Sequence, residues 1–170
     1  DAQGLIAAGG VRFGALEGAA VVLAGANDIN RISGAVNGGL TLSSVSPLDV
    51  NTVLSTSGLT STNDTISLSA PSIVLTNNVS SGTGAVNLVA GTGSITGAGL
   101  ITVRDLSLRA VNGDIGTSVQ GIQYSQNSGG TLTATDGNVI PGGGANNVFI
   151  AGTNTTRLGR VLVNPSVTIR

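Results

Sequence analysis

The sequence predicts an all-β chain folded as one parallel β-solenoid, and three observations carry that prediction. First, the apolar pair Ile66/Leu68 returns about twenty residues later as Val86/Leu88, and again as Leu106/Leu108. Second, an interleaved series of Ile73, Ile95 and Ile115 keeps nearly the same period. Third, the segments between Gly, Asn, Ser and Thr corners alternate with period 2, and none shows a sustained i, i+3, i+4 stripe. Two interleaved series of one period are harder to produce by chance than one.

Composition supports an ordered β chain. The 27 glycines suggest disorder, but 40% of the 170 residues are hydrophobic and only 9% are charged, the reverse of a disordered composition. That length suits one domain with a real core. Net charge is −1, with seven Arg and neither Lys nor His, so no basic stripe for nucleic acid or anionic lipid can be assembled. Phe13, Tyr124 and Phe149 are the only aromatics, which leaves few stacking platforms. Absence of Cys removes disulfides, thiolate metal sites and thiol nucleophiles. Residues 5–26 are apolar but carry Arg12, Glu17 and five glycines, so no spanning helix and no membrane insertion are expected.

Taken in order, residues 1–19 carry weak strand signals at Leu5/Ile6 and Val11/Phe13, broken by Gly9-Gly10. Residues 20–53 alternate more clearly, punctuated by Asn27-Asp28, Asn37-Gly38-Gly39 and Ser46-Pro47. Val21/Leu23, Leu40/Leu42, Ile66/Leu68, Val86/Leu88 and Leu106/Leu108 form the expected core ladder, at spacings of 19, 26, 20 and 20. Ile29, Val50, Ile73, Ile95 and Ile115 form the expected second ladder, at spacings of 21, 23, 22 and 20. The long interval predicts a loop inserted within 56–64. Coils stack about 4.8 Å apart, so like residues lie on like, each buried aliphatic side chain contributing about 1.5–3 kcal/mol. About seven coils would give a body about 35 Å long.

From Ser118 the register degrades: GIQYSQNSGG is largely polar, TLTAT is a strand candidate, and VIPGGGANN is a loop. VFIAG, RVLV and SVTIR follow as three short strands. Residues 1–170 are expected to be a single solenoid domain, in which 118–170 form irregular C-terminal coils or strands covering the open end.

LAGANDINRISGAVNGGLTLSSVSPLDVNTV and NLVAGTGSITGAGLITVRDLSLRAVNGDIGT carry a family likeness. Asn27, Asp28, Asn30, Gly38, Leu40 and Leu42, with Gly113, Asp114, Ile115, Gly116 and Thr117, match a repeat pattern. The pattern resembles the repeat region of large bacterial exoproteins of the filamentous-haemagglutinin-like class. The likeness covers about residues 20–117. It implies a single-stranded right-handed parallel β-helix of about twenty residues per coil. It also implies export and display as an adhesin-like fibre without a catalytic site. At 170 residues without that family's N-terminal secretion domain, the sequence is expected to be a segment or an unusually small relative of that class.

The chemistry-bearing residues favour bland roles. Asp28, Asp49, Asp64, Asp105, Asp114 and Asp136 could be read as calcium ligands, but Gly142-Gly143-Gly144 is followed by Ala-Asn-Asn rather than the Asp of a calcium-binding nonapeptide. Turn formation accounts for these aspartates. Arg104, Asp105, Arg109 and Asp114 are the nearest approach to a lyase or glycosidase constellation. If that strand is regular, Arg104 and Asp105 point to opposite faces. GTGAVN, GTGSIT and GAGLIT match no phosphate-loop pattern. Thr60/Thr62, Thr131/Thr133/Thr135 and Thr153/Thr155 skip most coils, which speaks against an ice-binding array. Asn63, Asn78 and Asn154 head N-x-[ST] triplets that are frequent by chance in this composition.

The leading expectation is a non-enzymatic, extracellular structural or adhesive solenoid, secreted or on a bacterial cell surface, using no cofactor. The alternative is a carbohydrate-active β-helix enzyme, either polysaccharide lyase or glycosidase. Solenoid ends are normally capped, yet neither terminus carries a cap signal. Self-association into a filament, or continuation of a longer chain, is therefore expected. Its candidate contacts are Leu5, Val11, Phe13, Val161, Val163, Val167 and Ile169.

Overall fold

Leucine and β-branched residues alternating with Ser, Thr and Asn suit a pleated strand buried on one face, and such strands cannot bury that face alone. The computed structural model describes residues 6–14, 20–127, 129–136, 146–152, 157–162 and 165–169. Among these it is all-β, with parallel strands stacked as a β-solenoid of about 6 turns. The period is roughly 22 residues per turn rather than twenty. The core register explains the difference: Ile66 to Val86 and Val86 to Leu106 are short turns, whereas Leu40 to Ile66 and Leu106 to Leu132 are longer.

Each regular turn uses three strands, as in Ile66–Ala70, Ile73–Leu75 and Val79–Ser80. An eight-stranded sheet collects the first strand of every turn, from Ala7–Ala8 to Arg157–Leu162. An 11-stranded sheet covers the other two sides. Its halves are joined by Arg31–Val36, which pairs with Leu48–Val50 through its start and with Leu59–Ser61 through its end.

Inside the eight-stranded sheet, Val21, Leu40, Ile66, Val86 and Leu106 stand in one register column that continues to Leu132. Leu23, Leu42, Leu68, Leu88 and Leu108 stand in the next, continuing to Ala134. All of these are buried except Val21, which is half-buried.

The second ladder needs correction at its N-terminal end. Ile73, Ile95 and Ile115 do stack, but Ile73 lies on Leu48, while Val50 lies between Ile32 and Leu75. Ile29 is opposite Ala8, and Ser44 Oγ both receives its N–H and donates to its C=O. For Ile29 the cause is a bulge in Val21–Ile29: Leu23 faces Leu42, yet Asn27 faces Ser44, so that strand spends extra residues before the corner.

The inserted residues also differ from the expectation. Leu59–Ser61 is a regular solenoid strand, and the insertion is an antiparallel hairpin pairing Thr52–Val53 with Thr56–Ser57. Its turn residues Leu54 and Ser55 have φ of 48° and 64°.

After Ser118 the same two sheets continue. Ile122–Gln126 pairs with Leu100–Val103 and places Ile122, Tyr124 and Gln126 inward, so the polar-looking GIQYSQNSGG contains a core strand. Tyr124 is fully buried where the next turn presents Gly152, at which any Cβ would fall 2.4 Å from the Tyr124 ring. Asn146–Gly152, Arg157–Leu162 and Pro165–Ile169 extend the stack in parallel rather than crossing its end. Gly97 serves a tight corner: its φ is 121° and a Cβ there would lie 2.3 Å from Leu75 O.

Candidate functional site

A residue between two inward neighbours points outward, so the middle residue of each core pair lies on the outer face of the eight-stranded sheet. Val22, Thr41, Ser67, Asn87, Ser107 and Thr133 thereby form one column, one residue per turn, apolar at Val22 and polar from Thr41 on, all exposed or half-buried. Strand spacing puts successive members about 4.8 Å apart. Asn87 Nδ2 donates to Ser67 Oγ at 3.2 Å, which links two rungs. Beside it runs a mixed column of Ser43, Ser69, Val89, Arg109 and Thr135, in which Arg109 is the charged member. A shallow depression of ≈ 240 Å³ lies along Thr41, Ser67 and Asn87. The third side repeats the pattern with Thr60, Ser80, Thr102 and Ser125.

Threonine alone does skip turns, but Ser and Asn occupy the rungs between. Thr133 joins the first column, Thr60 joins the third-side column, and Thr62 sits at a corner, where it donates to Asn37 Oδ1. Thr153, Thr155 and Asn154 lie outside the described residues. The signal for Thr41, Ser67, Asn87 and Ser107 was present in the sequence as the centre of LTL, ISL, VNL and LSL.

The aspartates are divided between strands (Asp28, Asp49, Asp105 and Asp136) and corners (Asp64 and Asp114). Asp114 Oδ1 accepts the Asn147 N–H at 2.6 Å, and Asp105 Oδ1 accepts the Thr131 N–H at 2.8 Å. Asp64 Oδ1 accepts the Thr65 N–H and Asp49 Oδ2 accepts Asn51 Nδ2, both at 2.7 Å. Asp28 Oδ1 accepts the Ser46 hydroxyl, and Asp136 pairs along the backbone with Ala110. Among the described residues no group of three or more His, Cys, Asp or Glu could hold a metal ion. Asn63 and Asn78 are corner residues too, their Oδ1 atoms accepting the N–H groups of Thr83 and Leu100.

Arg104 and Asp105 correct the alternation expectation. The chain bends at Arg104 before the strand Asp105–Ala110, so the two side chains lie together, Nε to Oδ2 at 3.7 Å. Both are about half exposed, where water screens such a pair to little worth.

Of the expected end contacts, Val11 is half-buried against the core and Phe13 is buried in it, opposite Gly34. Phe13 therefore closes the core rather than standing free at an end. Val161, Val167 and Ile169 pair along the backbone with Ala134, Val148 and Ile150. Leu5 and Val163 lie outside the described residues. No helix among the described residues is long and apolar enough to cross a membrane.

No family model, no curated protein and no solved structure matches the chain.

Proposed function

We propose that this chain is a non-enzymatic structural and adhesive β-solenoid, working outside a bacterial cell as a surface or secreted protein. The observation that carries this reading is the outer column Thr41–Ser67–Asn87–Ser107–Thr133. Small hydroxyl and amide groups repeated once per turn make many weak, uncharged contacts rather than one strong one, and such contacts add through multivalency. Adhesion to an extended polar surface uses that property. Catalysis on a polysaccharide needs carboxylates gathered at one bond, whereas Asp64, Asp105 and Asp114 each accept the backbone N–H of a different residue.

Growth along the axis belongs to the same reading. Pro165–Ile169 and Arg157–Leu162 each pair on one side among the described residues, so their other edges offer backbone groups to a further coil. A second copy, or more of the same chain, supplies that coil.

Adherence of chain-coated beads to polysaccharide-coated surfaces tests the first part. Thr41→Glu/Ser67→Glu/Ser107→Glu should abolish adherence while leaving the circular dichroism of a β protein intact. Unchanged adherence, or depolymerisation of the coating by the parent chain, would overturn the proposal. Electron microscopy tests the second part: fibres support axial growth, and discrete short rods at every concentration count against it.

A further inference from the structure

One corner of the 11-stranded sheet carries a built concavity. Thr117 and Gln120 close a tight loop on each other, with Thr117 N–H donating to Gln120 O at 2.8 Å and Gln120 N–H donating to Thr117 Oγ1 at 2.9 Å. Gly116 and Gly121 press this loop onto the neighbouring turn: a Cβ at Gly116 would lie 2.3 Å from Phe149 O, and Gly116 holds φ at 75°. Between the loop and Phe149–Ala151 opens a groove of ≈ 480 Å³, within the size range of small-molecule sites.

Its lining is chemically distinctive for this molecule. Phe13 and Tyr124 are buried in the core, whereas Phe149 is half-buried, outward between the buried Val148 and Ile150, and lines the groove. Gln120 and Gln123 line it as well, and the Gln120 side chain makes no hydrogen bond among the described residues. Val119, 92% exposed, forms the rim. Among the described residues no ionisable side chain lines the groove. An aromatic face, amides able to donate and accept, and no charge match a pyranose ring, which is apolar on its faces and hydroxylated at its edge. Because the loop is closed on itself, little ordering remains to be done on binding.

We infer that this groove is a binding subsite for one neutral sugar ring of a glycan, seated on Phe149 with its hydroxyls toward Gln120 and Gln123. The subsite lies off the eight-stranded sheet and does not rest on the adhesive reading. Its described lining holds no carboxylate, and the role inferred is binding.

Amide chemical shifts of the ¹⁵N-labelled chain, titrated with neutral tetrasaccharides of glucose, mannose and N-acetylglucosamine, provide the test. A tetragalacturonate serves as the acidic comparison, and the single sugars separate free monosaccharide from polymer. At least one neutral tetrasaccharide should shift Gly116, Thr117, Gly121 and Ala151. Phe149→Ala should weaken it about tenfold, the worth of one aromatic contact, and Phe149→Tyr should retain it. Gln120→Ala, at an exposed side chain, repeats the test should Phe149→Ala lose its dispersed spectrum. Shifts confined to the Thr41–Thr133 column, no shifts with any neutral sugar, tighter binding of the acidic one, or full affinity in both alanine variants would each overturn the inference.

Discussion

Asn27 is 1% exposed, and its side chain joins three successive turns. Nδ2 donates to Leu23 O, Gly25 O and Ser43 O, while Oδ1 accepts the Ile6 N–H. Asn27→Leu keeps the branched shape but strands these backbone groups, a loss of about 3 kcal/mol expected as a lower urea midpoint. Leu88→Ala acts through a different cause. Leu88 is fully buried between Leu68 and Leu108, and its truncation should cost about 2–5 kcal/mol by transfer and cavity formation. An unchanged midpoint in either variant would mean that the neighbouring turns close over the site. The two residues were unequally legible. Leu88 announces itself by returning at Leu68 and Leu108, whereas Asn27 looks like any corner Asn until its three turns are in place.

The hairpin at Thr52–Ser57 departs from local preference. Leu54 and Ser55 both hold positive φ, a pair of conformations for which Asn-Gly is the favoured sequence, and Leu54 is 79% exposed. Left-handed backbone costs a non-glycine residue about 1–2 kcal/mol, and the exposed Leu54 side chain buries little surface to offset it. Leu54→Asn/Ser55→Gly should therefore raise stability by about 1 kcal/mol, read as a higher urea midpoint. A lower midpoint would show that the Leu54 side chain packs usefully. The sequence placed the insertion at 56–64 because Ser and Thr dominate there, but Leu59–Ser61 has regular neighbours in Arg31–Val36 and Val79–Ser80. Composition could not separate a polar strand from a polar loop, since the alternation of a three-residue strand is too short to read.

Along the solenoid axis, strand pairing joins each turn to the turns before and after it, so stability follows mainly from nearest-neighbour interfaces. Ile66–Ala70, Ala85–Ala90 and Asp105–Ala110 are paired on both sides, while Ala7–Ala8 and Pro165–Ile169 are each paired with one strand among the described residues. Hydrogen exchange should consequently be slowest over residues 66–110 and quicken toward both ends. Uniform protection would indicate one cooperative unit or ends covered by another copy, and its dependence on protein concentration separates those two cases.

What the sequence by itself determined is the solenoid and the register of the eight-stranded sheet. Pairs such as Ile66/Leu68 and Val86/Leu88 must stack on one another, because no single turn can bury them. The corners were left to the tertiary structure. A bulge between Leu23 and Asn27 moved Ile29 off the second ladder, and two corner glycines brought the Thr117–Gln120 loop against Phe149. Neither event has a period. Stacked side chains repeat and can be counted, whereas a bulge or a close backbone approach depends on which neighbour the adjoining turn happens to present.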